Sequence, residues 1–384
     1  MKEQIKRIGV NFGGGQVPGL NSVIRGIVMA AGEMGWEVVG IYDGYEGLLF
    51  PERYPKGGTV LLTPQSLETV AGTDECILGT ASRTDPFHVR KVSADGMVEE
   101  ADRSDELLRW VRKERIDAVI SIADAHALSI LWKLQKKGLR TVCVPKSTEN
   151  QVAATMLSFG FNSTLSLTTE LLDQALQNAK SARQITVVEV PGEHAGWLAL
   201  QSAIAVCADA VLIPEVPADI RRLAAKLREN LEAGKKFGLV VVAQGVRLSA
   251  DCQDTAIKTD PLKALLSPGA TGPAGTHVIE SSGAAAETVA MRLQGLLDQK
   301  IHALVLGGQV KSGPPTAVDR QLGLGYGAAA VRAIRESQSG VMVTFQPPDL
   351  KFVPLADAIN KIRTVPAGSV FLQIARLLGI SVGD

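Results

Sequence analysis

Val142-Cys143-Val144-Pro145-Lys146-Ser147-Thr148-Glu149-Asn150-Gln151 carries an apolar strand, residues 140–144, into a polar loop. The loop holds one cation, Lys146, and one carboxylate, Glu149, flanked by Asn150; Gln151 cannot ionise. Outward from it, strand-like and helix-like patterns alternate. Residues 8–12 read as a buried strand, followed by a glycine turn and a helix with Leu20, Val23, Ile24 and Ile27 on its apolar positions. Residues 36–42 are a second strand. Ser104 is placed as the cap of a helix carrying Leu107, Leu108 and Val111, which feeds a strand at 116–122; a helix ending at Gly138 leads back to 140–144. Further apolar strands are expected at 185–190, 210–213, 238–243 and 303–306. Asp219 opens a helix with Ile220, Leu223, Leu227 and Leu231 on one stripe, closed by Gly234. Residues 267–276 are the most loop-like stretch. The rhythm is βαβ, which predicts a parallel sheet covered by helices on both faces.

The chain has 384 residues, long enough for two domains sharing a cleft, because single cores rarely grow beyond about 250–300 residues. Lys plus Arg and Asp plus Glu each number 40, so the net charge is zero. That balance argues against a nucleic-acid binder, which shows basic excess, and leaves a small anionic ligand open. Cys76, Cys143, Cys207 and Cys252 lie far apart without metal-ligand spacing, and are expected to be reduced, buried thiols. The first residues run straight into a strand, so no signal peptide is expected. No run of about 18 apolar residues suggests a membrane span, and a cytoplasmic location is expected.

Gly13-Gly14-Gly15-Gln16-Val17-Pro18-Gly19 joins the first strand to the first helix. Three glycines allow a tight turn with several N–H groups aimed outward, and the helix N-terminus adds partial positive charge, which suits a phosphate. Pro18 stands where a dinucleotide fingerprint needs its third glycine, and no Gly-Lys-Ser/Thr of a Walker A loop follows. By itself the turn is either a plain turn or an anion site.

Six further stretches point one way. Residues 9–21 resemble the opening Gly-Val-x-x-Ser-Gly-Gly-Asp-Ala-Pro-Gly-Met-Asn of the phosphofructokinases, and 41–48 (IYDGYEGL) match the strand and turn that follow it. Residues 77–87 (ILGTASRTDPF) resemble the loop that contains Arg83. Residues 188–200 (VEVPGEHAGWLAL), 213–217 (IPEVP) and 315–320 (PTAVDR) are similar to the family's Val-Glu-Val-Met-Gly-Arg-His-Ala-Gly-Trp, Pro-Glu-x-Pro and Pro-Thr-Ala-Phe-Asp-Arg. The loop at 145–151 resembles the family's catalytic Pro-Lys-Thr-Ile-Asp-Asn-Asp. The resemblance spans nearly the whole chain in order, and Pro145-Lys146 with the His-Ala-Gly-Trp run leans toward the pyrophosphate-using branch.

The resemblance implies phosphoryl transfer, which needs the donor's oxygens neutralised, the acceptor hydroxyl aligned and a base for its proton. It assigns Glu149, with Asn150 and Lys146, to the catalytic loop, and Gly13, Gly14, Gly15, Arg83 and Asp124 to the donor side. Gly192, Glu193, Glu215, His302 and Lys311 fall on the acceptor side. Several of these depart from the family. Glu149 replaces the base aspartate, Gln16 and Gln151 replace two more aspartates, and Ala125 occupies the position of the metal-binding aspartate, with Asp124 one residue early. Asp124 is either a Mg²⁺ ligand or a polar cap on the next helix, and His126 either part of a rebuilt site or an exposed helix-start residue. Glu149 and Asn150 read equally as catalytic or as a hydrogen-bonded structural loop. Gln184 and His302 stand where phosphate-gripping arginines are expected, Glu193 reverses an arginine's charge, Gly308 replaces a histidine, and Lys311 replaces an arginine.

The expected fold is therefore α/β: two Rossmann-like three-layer αβα lobes of the phosphofructokinase kind. Residues 1–160 plus about 311–362 form an N-terminal donor-binding lobe, and 161–310 plus the C-terminal tail an acceptor-binding lobe. The edited motifs point to a phosphotransferase retargeted to a different hydroxyl acceptor, using ATP or pyrophosphate with Mg²⁺. The alternatives are an inactive homologue acting as a sensor or partner subunit, and a working ATP- or pyrophosphate-dependent 6-phosphofructokinase. The resemblance further implies a small-molecule ligand, a phosphorylated or anionic donor, and a homodimer or homotetramer, with no nucleic-acid or membrane partner.

Overall fold

The computed structural model describes residues 5–68, 76–79, 84–92, 98–249 and 283–384. Arg83, Cys252 and the loop-like stretch at 267–276 lie outside the described residues. The strands in chain order are β1 (Arg7–Gly13), β2 (Glu37–Ile41), β3 (Thr59–Leu62), β4 (Val89–Val92), β5 (Val98–Ala101), β6 (Ala118–Ala123), β7 (Thr141–Pro145), β8 (Ile185–Val190), β9 (Ala210–Leu212), β10 (Gly238–Ala243), β11 (Ile301–Val305), β12 (Val341–Gln346) and β13 (Asp349–Pro354). Two compact units divide the chain: one comprises 1–148, 152–163 and 313–362, the other 149–151, 164–312 and 363–384. Glu149, Asn150 and Gln151 thus group with the second unit, whereas the sequence boundaries put them in the first.

The first unit is built on a seven-stranded sheet of order β13-β12-β7-β6-β1-β2-β3. Its five middle strands run parallel, and β3 and β13 close the edges antiparallel. Both faces are covered, so the middle strands are apolar on both sides. Ile8, Val10 and Phe12 pack with Val23, Ile24 and Ile27 of the helix Leu20–Glu33 and with Ala330 and Ile334 of the helix Ala317–Arg335. The opposite face takes Val119 with Leu107, Ile130 and Leu134. In the second unit four parallel strands have the order β11-β8-β10-β9. Ile185, Val187, Val240 and Val242 pack on Leu223, Leu227, Val289 and Leu293, and the helix Trp197–Ala205 covers β9 and β10 from the other side. Each unit is an αβα sandwich, as expected.

Local readings hold where a side chain acts on its own backbone. Asp219 caps the helix Ile220–Glu232, accepting from the amides of Arg221 and Arg222. Ser104 does not cap: it is the first helical residue, and its amide and hydroxyl both donate to Asp102 Oδ1 at 2.8 and 2.5 Å. Cys76 and Cys143 are buried, but Cys207 is exposed, because it sits past the end of the Trp197–Ala205 helix in a left-handed turn with φ 50°. Among the described residues no helix is long and apolar enough to cross a membrane.

The two long helices of the first unit touch through glycine. A Cβ on Gly26 would lie 2.3 Å from the carbonyl oxygen of Leu324, and one on Gly327 2.4 Å from that of Val23. Backbone cannot yield as a side-chain tip can. Gly327→Val is therefore expected to lower the unfolding free energy by about 3 kcal/mol. Gly32→Ala on the same Leu20–Glu33 helix, with nothing within 4 Å, should stabilise by up to about 1 kcal/mol. Denaturant midpoints read both.

Candidate active site

In the first unit a candidate site forms at the carboxyl ends of the adjacent strands β1, β6 and β7, where open parallel sheets place ligands. The glycine turn leaves β1 with Gly14 at φ +85°. Asp124 leaves β6 and caps the helix Ala125–Lys136, its Oδ1 accepting from the amides of His126 at 3.1 Å and Ala127 at 2.9 Å. The carboxylate lies against the turn: a Cβ on Gly14 would fall 1.8 Å from Asp124 Oδ2. Glycine suits the φ there, and any side chain would have to displace the carboxylate of Asp124. Lys146 leaves β7, is 1% exposed, and its ammonium donates to the carbonyl of Gly15. A recess beside the turn is lined by Gly13, Gly14, Tyr45, Ser121 and His126, with His126 exposed on the first helical turn.

No group of three or more His, Cys, Asp and Glu side chains among the described residues is arranged to hold a metal. Mg²⁺ does not need one. It keeps several waters and is held by one or two carboxylates together with substrate phosphates. Asp124, a carboxylate at a glycine turn, suits that role alongside its capping bonds.

In the second unit a cluster of charged side chains gathers around Glu149. This side chain is partly buried and accepts the backbone N–H of Glu193. Burial pushes its carboxyl above the ordinary glutamate range; Lys311 and His194 pull it back, and Glu193 opposes them. Asn150 holds φ +52°, and its carbonyl accepts from Arg363 Nη1 at 3.3 Å. Arg363 N–H donates to the carbonyl of Gln151 at 2.9 Å. Gly192 has φ +147°, and a Cβ on Gly245 would lie 1.8 Å from the carbonyl oxygen of Glu193, so this turn also needs its glycines. Glu215 accepts the N–H of Gly196 at 3.0 and 3.1 Å and that of Val365 at 2.8 Å; it braces two segments of backbone.

The structure thus brings Glu149, Gly192, Glu193 and Lys311 together, and separately Gly13, Gly14, Gly15, Asp124 and Lys146. His302 is elsewhere, exposed near the amino end of β11. Gln184 precedes β8 at the same end, about 20 Å of strand from Gly192. His194 and Arg363 were not singled out from the sequence. His194 had a signal, since it follows Glu193; Arg363 lies in a stretch without motif character, more than 200 residues beyond Asn150 in the chain.

The family model for phosphofructokinase matches residues 7–334. The chain belongs to the phosphofructokinase family. A protein of Chloroflexus aurantiacus named ATP-dependent 6-phosphofructokinase is 33% identical over 100% of this chain and 99% of its own length. ATP-dependent 6-phosphofructokinase 3 of Streptomyces coelicolor is 35% identical over 94% and 96% of the two chains. A pyrophosphate-dependent phosphofructokinase structure from Nitrosospira multiformis superposes with a TM-score of 0.75, covering 99% of this chain and 93% of its own; at 16% identity it speaks for the fold alone.

These relatives overturn the expectation of a phosphofructokinase retargeted to another acceptor, and equally that of an inactive homologue. The geometry supplies the physical reason. Two edited positions removed a residue type without removing its chemical group: Asp124 lays a carboxylate on the glycine turn from one residue before Ala125, and Glu149 keeps one on its loop with an added methylene.

Glu149 makes a testable contribution to stability. Because its folded pKa is raised, the stability it contributes is fully present below the unfolded glutamate value of about 4.3 and is lost as pH rises through the folded value. Glu149→Gln removes that loss. Thermal midpoints should show the variant above wild type at about pH 8, with the gap closing below about pH 4.

Proposed function

We propose that the chain is a 6-phosphofructokinase that transfers the terminal phosphoryl group of ATP to a hydroxyl of fructose 6-phosphate. The observation that carries this reading is Glu149: a partly buried carboxyl with a raised pKa, held by the Glu193 amide and faced by Lys311 and His194. A base works best when its pKa approaches the operating pH, and this environment moves a glutamate in that direction. Full-length relatives named for ATP support the donor.

In this reading Glu149 takes the proton of the attacking hydroxyl, and Asn150 fixes the conformation from which Glu149 is presented. The amides of Gly13, Gly14 and Gly15 receive donor phosphate oxygens. Lys146 holds the turn's shape through Gly15. Asp124 would hold Mg²⁺, which when bound neutralises charge on the phosphates. Lys311 places positive charge beside Glu149 and the acceptor, and Gly192 with Glu193 shapes the acceptor turn. Glu215 positions the backbone at Gly196 and Val365. Arg83 stays assigned to the donor on resemblance alone. A role for His302 at an acceptor requires a second copy of the chain, since it lies at the far end of its own sheet; a homodimer or homotetramer supplies one.

A coupled assay with fructose 6-phosphate tests the reading, with Mg-ATP and Mg-pyrophosphate as separate donors. Turnover is expected with ATP, with an acid limb in kcat/KM above the ordinary glutamate range, and Glu149→Gln should lower kcat by about 10²–10⁴-fold. Turnover with pyrophosphate alone would reassign the donor, and none with either would refute the function. An undiminished Glu149→Gln variant would remove Glu149 as base.

A further inference from the structure

The acceptor half lacks arginines where a phosphate needs them: Glu193, Lys311, Gln184 and His302 occupy the relevant positions. Arg363 stands in the same unit. Its guanidinium lies over the Trp197 ring, 4.0 Å from the centroid, and Nη1 donates to the Asn150 carbonyl. The ring is itself fixed: Trp197 Nε1 donates to the Arg363 carbonyl at 2.8 Å, and Phe371 meets Trp197 edge-on at 6.4 Å. One face and one nitrogen of the guanidinium are thereby immobilised, leaving other N–H donors of its planar fork.

Its electrostatic setting differs from that of the surface arginines. Arg7 pairs with Glu37, Arg103 with Glu106 and Arg376 with Asp384. Arg363 is half-buried, and among the described residues no carboxylate forms an ion pair with it; the loss of water lowers its pKa with no acidic neighbour to compensate. A desolvated cation costs free energy unless an anion answers it. A planar fork, held rigid with donors to spare, answers a phosphate bidentately.

We propose that Arg363 binds the phosphate group of the acceptor sugar. The inference rests on the acceptor being a sugar phosphate. The acceptor is favoured over the donor because Arg363 bonds directly to the Asn150–Gln151 backbone, and Val365, two residues on, bonds to Glu215. The glycine turn and Asp124 belong to the other unit.

Calorimetry on the purified full chain tests this with fructose 6-phosphate, fructose, and Mg-ATP as separate ligands. Arg363→Met should raise the Kd for fructose 6-phosphate about 30–100-fold, since a charge-assisted bidentate pair is lost. Arg363→Lys should raise it about tenfold. Fructose should bind equally weakly to all forms, and the Kd for Mg-ATP should change less than twofold. In turnover the loss should fall mainly on KM for the sugar phosphate. An unchanged Kd in Arg363→Met overturns the proposal; so does an equal loss for Mg-ATP, which moves the contact to the donor, or a loss confined to kcat, which makes Arg363 a positioning residue for Asn150. If the methionine variant does not fold, an unchanged Kd in the lysine variant overturns it. The two readings fail separately: a wild type without turnover that still binds fructose 6-phosphate, and loses it in Arg363→Met, refutes the function and retains the anion site.

Discussion

A single buried ammonium organises the ends of three neighbouring strands in the first unit. Lys146 has almost no contact with solvent, and an interior charge must find polar partners or forfeit several kcal/mol. Its ammonium binds the carbonyl of Gly15, while its own N–H bonds to Ala123 and the next amide, Ser147, to Phe159. One residue therefore ties the end of β7 to the glycine turn after β1 and to the end of β6, where Asp124 begins. The sheet order β7-β6-β1 makes the three ends neighbours; the ammonium fixes the shape in which they meet.

The cluster around Glu149 in the second unit follows a different rule. It gathers charges of both signs, Lys311, His194 and Glu193, around one carboxyl. Glu149 is kept protonatable by burial, with Lys311 and His194 limiting the shift and Glu193 adding to it. Glu215 and Arg363 divide the work of support: the carboxylate is spent on backbone amides, while the guanidinium is braced by Trp197 and Asn150 with donors left over. The segment from Arg363 to Val365 is bonded to both the Gln151 backbone and Glu215, so the C-terminal part of the chain shapes the loop that carries Glu149.

Full-length similarity to ATP-dependent 6-phosphofructokinases becomes physically intelligible once groups are compared in space instead of positions in a motif. Aspartate at Ala125's position and Asp124 before it are different letters in a sequence. Asp124 puts a carboxylate beside the glycine turn while capping the helix that follows.

Much of the fold was legible in the sequence because its causes are local. Apolar strands buried on both faces, Asp219 as a helix cap, and the glycines of 13–15 report constraints that act within a few residues. Ser104 failed as a cap because Asp102, two residues away, captures its hydroxyl. The site was legible in its residue types but not in its groupings. His302 and Glu193 read alike as acceptor residues, yet they stand toward opposite ends of their sheet, and Arg363 carried no signal at all. The sequence by itself determined the family, the αβα layers and the turns that require glycine, since hydrophobic period and backbone conformation are written residue by residue. Tertiary structure decided which charges face Glu149, which carboxylate rests on Gly14 and which arginine lies over Trp197 beside Asn150, because burial and long-range contact set those energies.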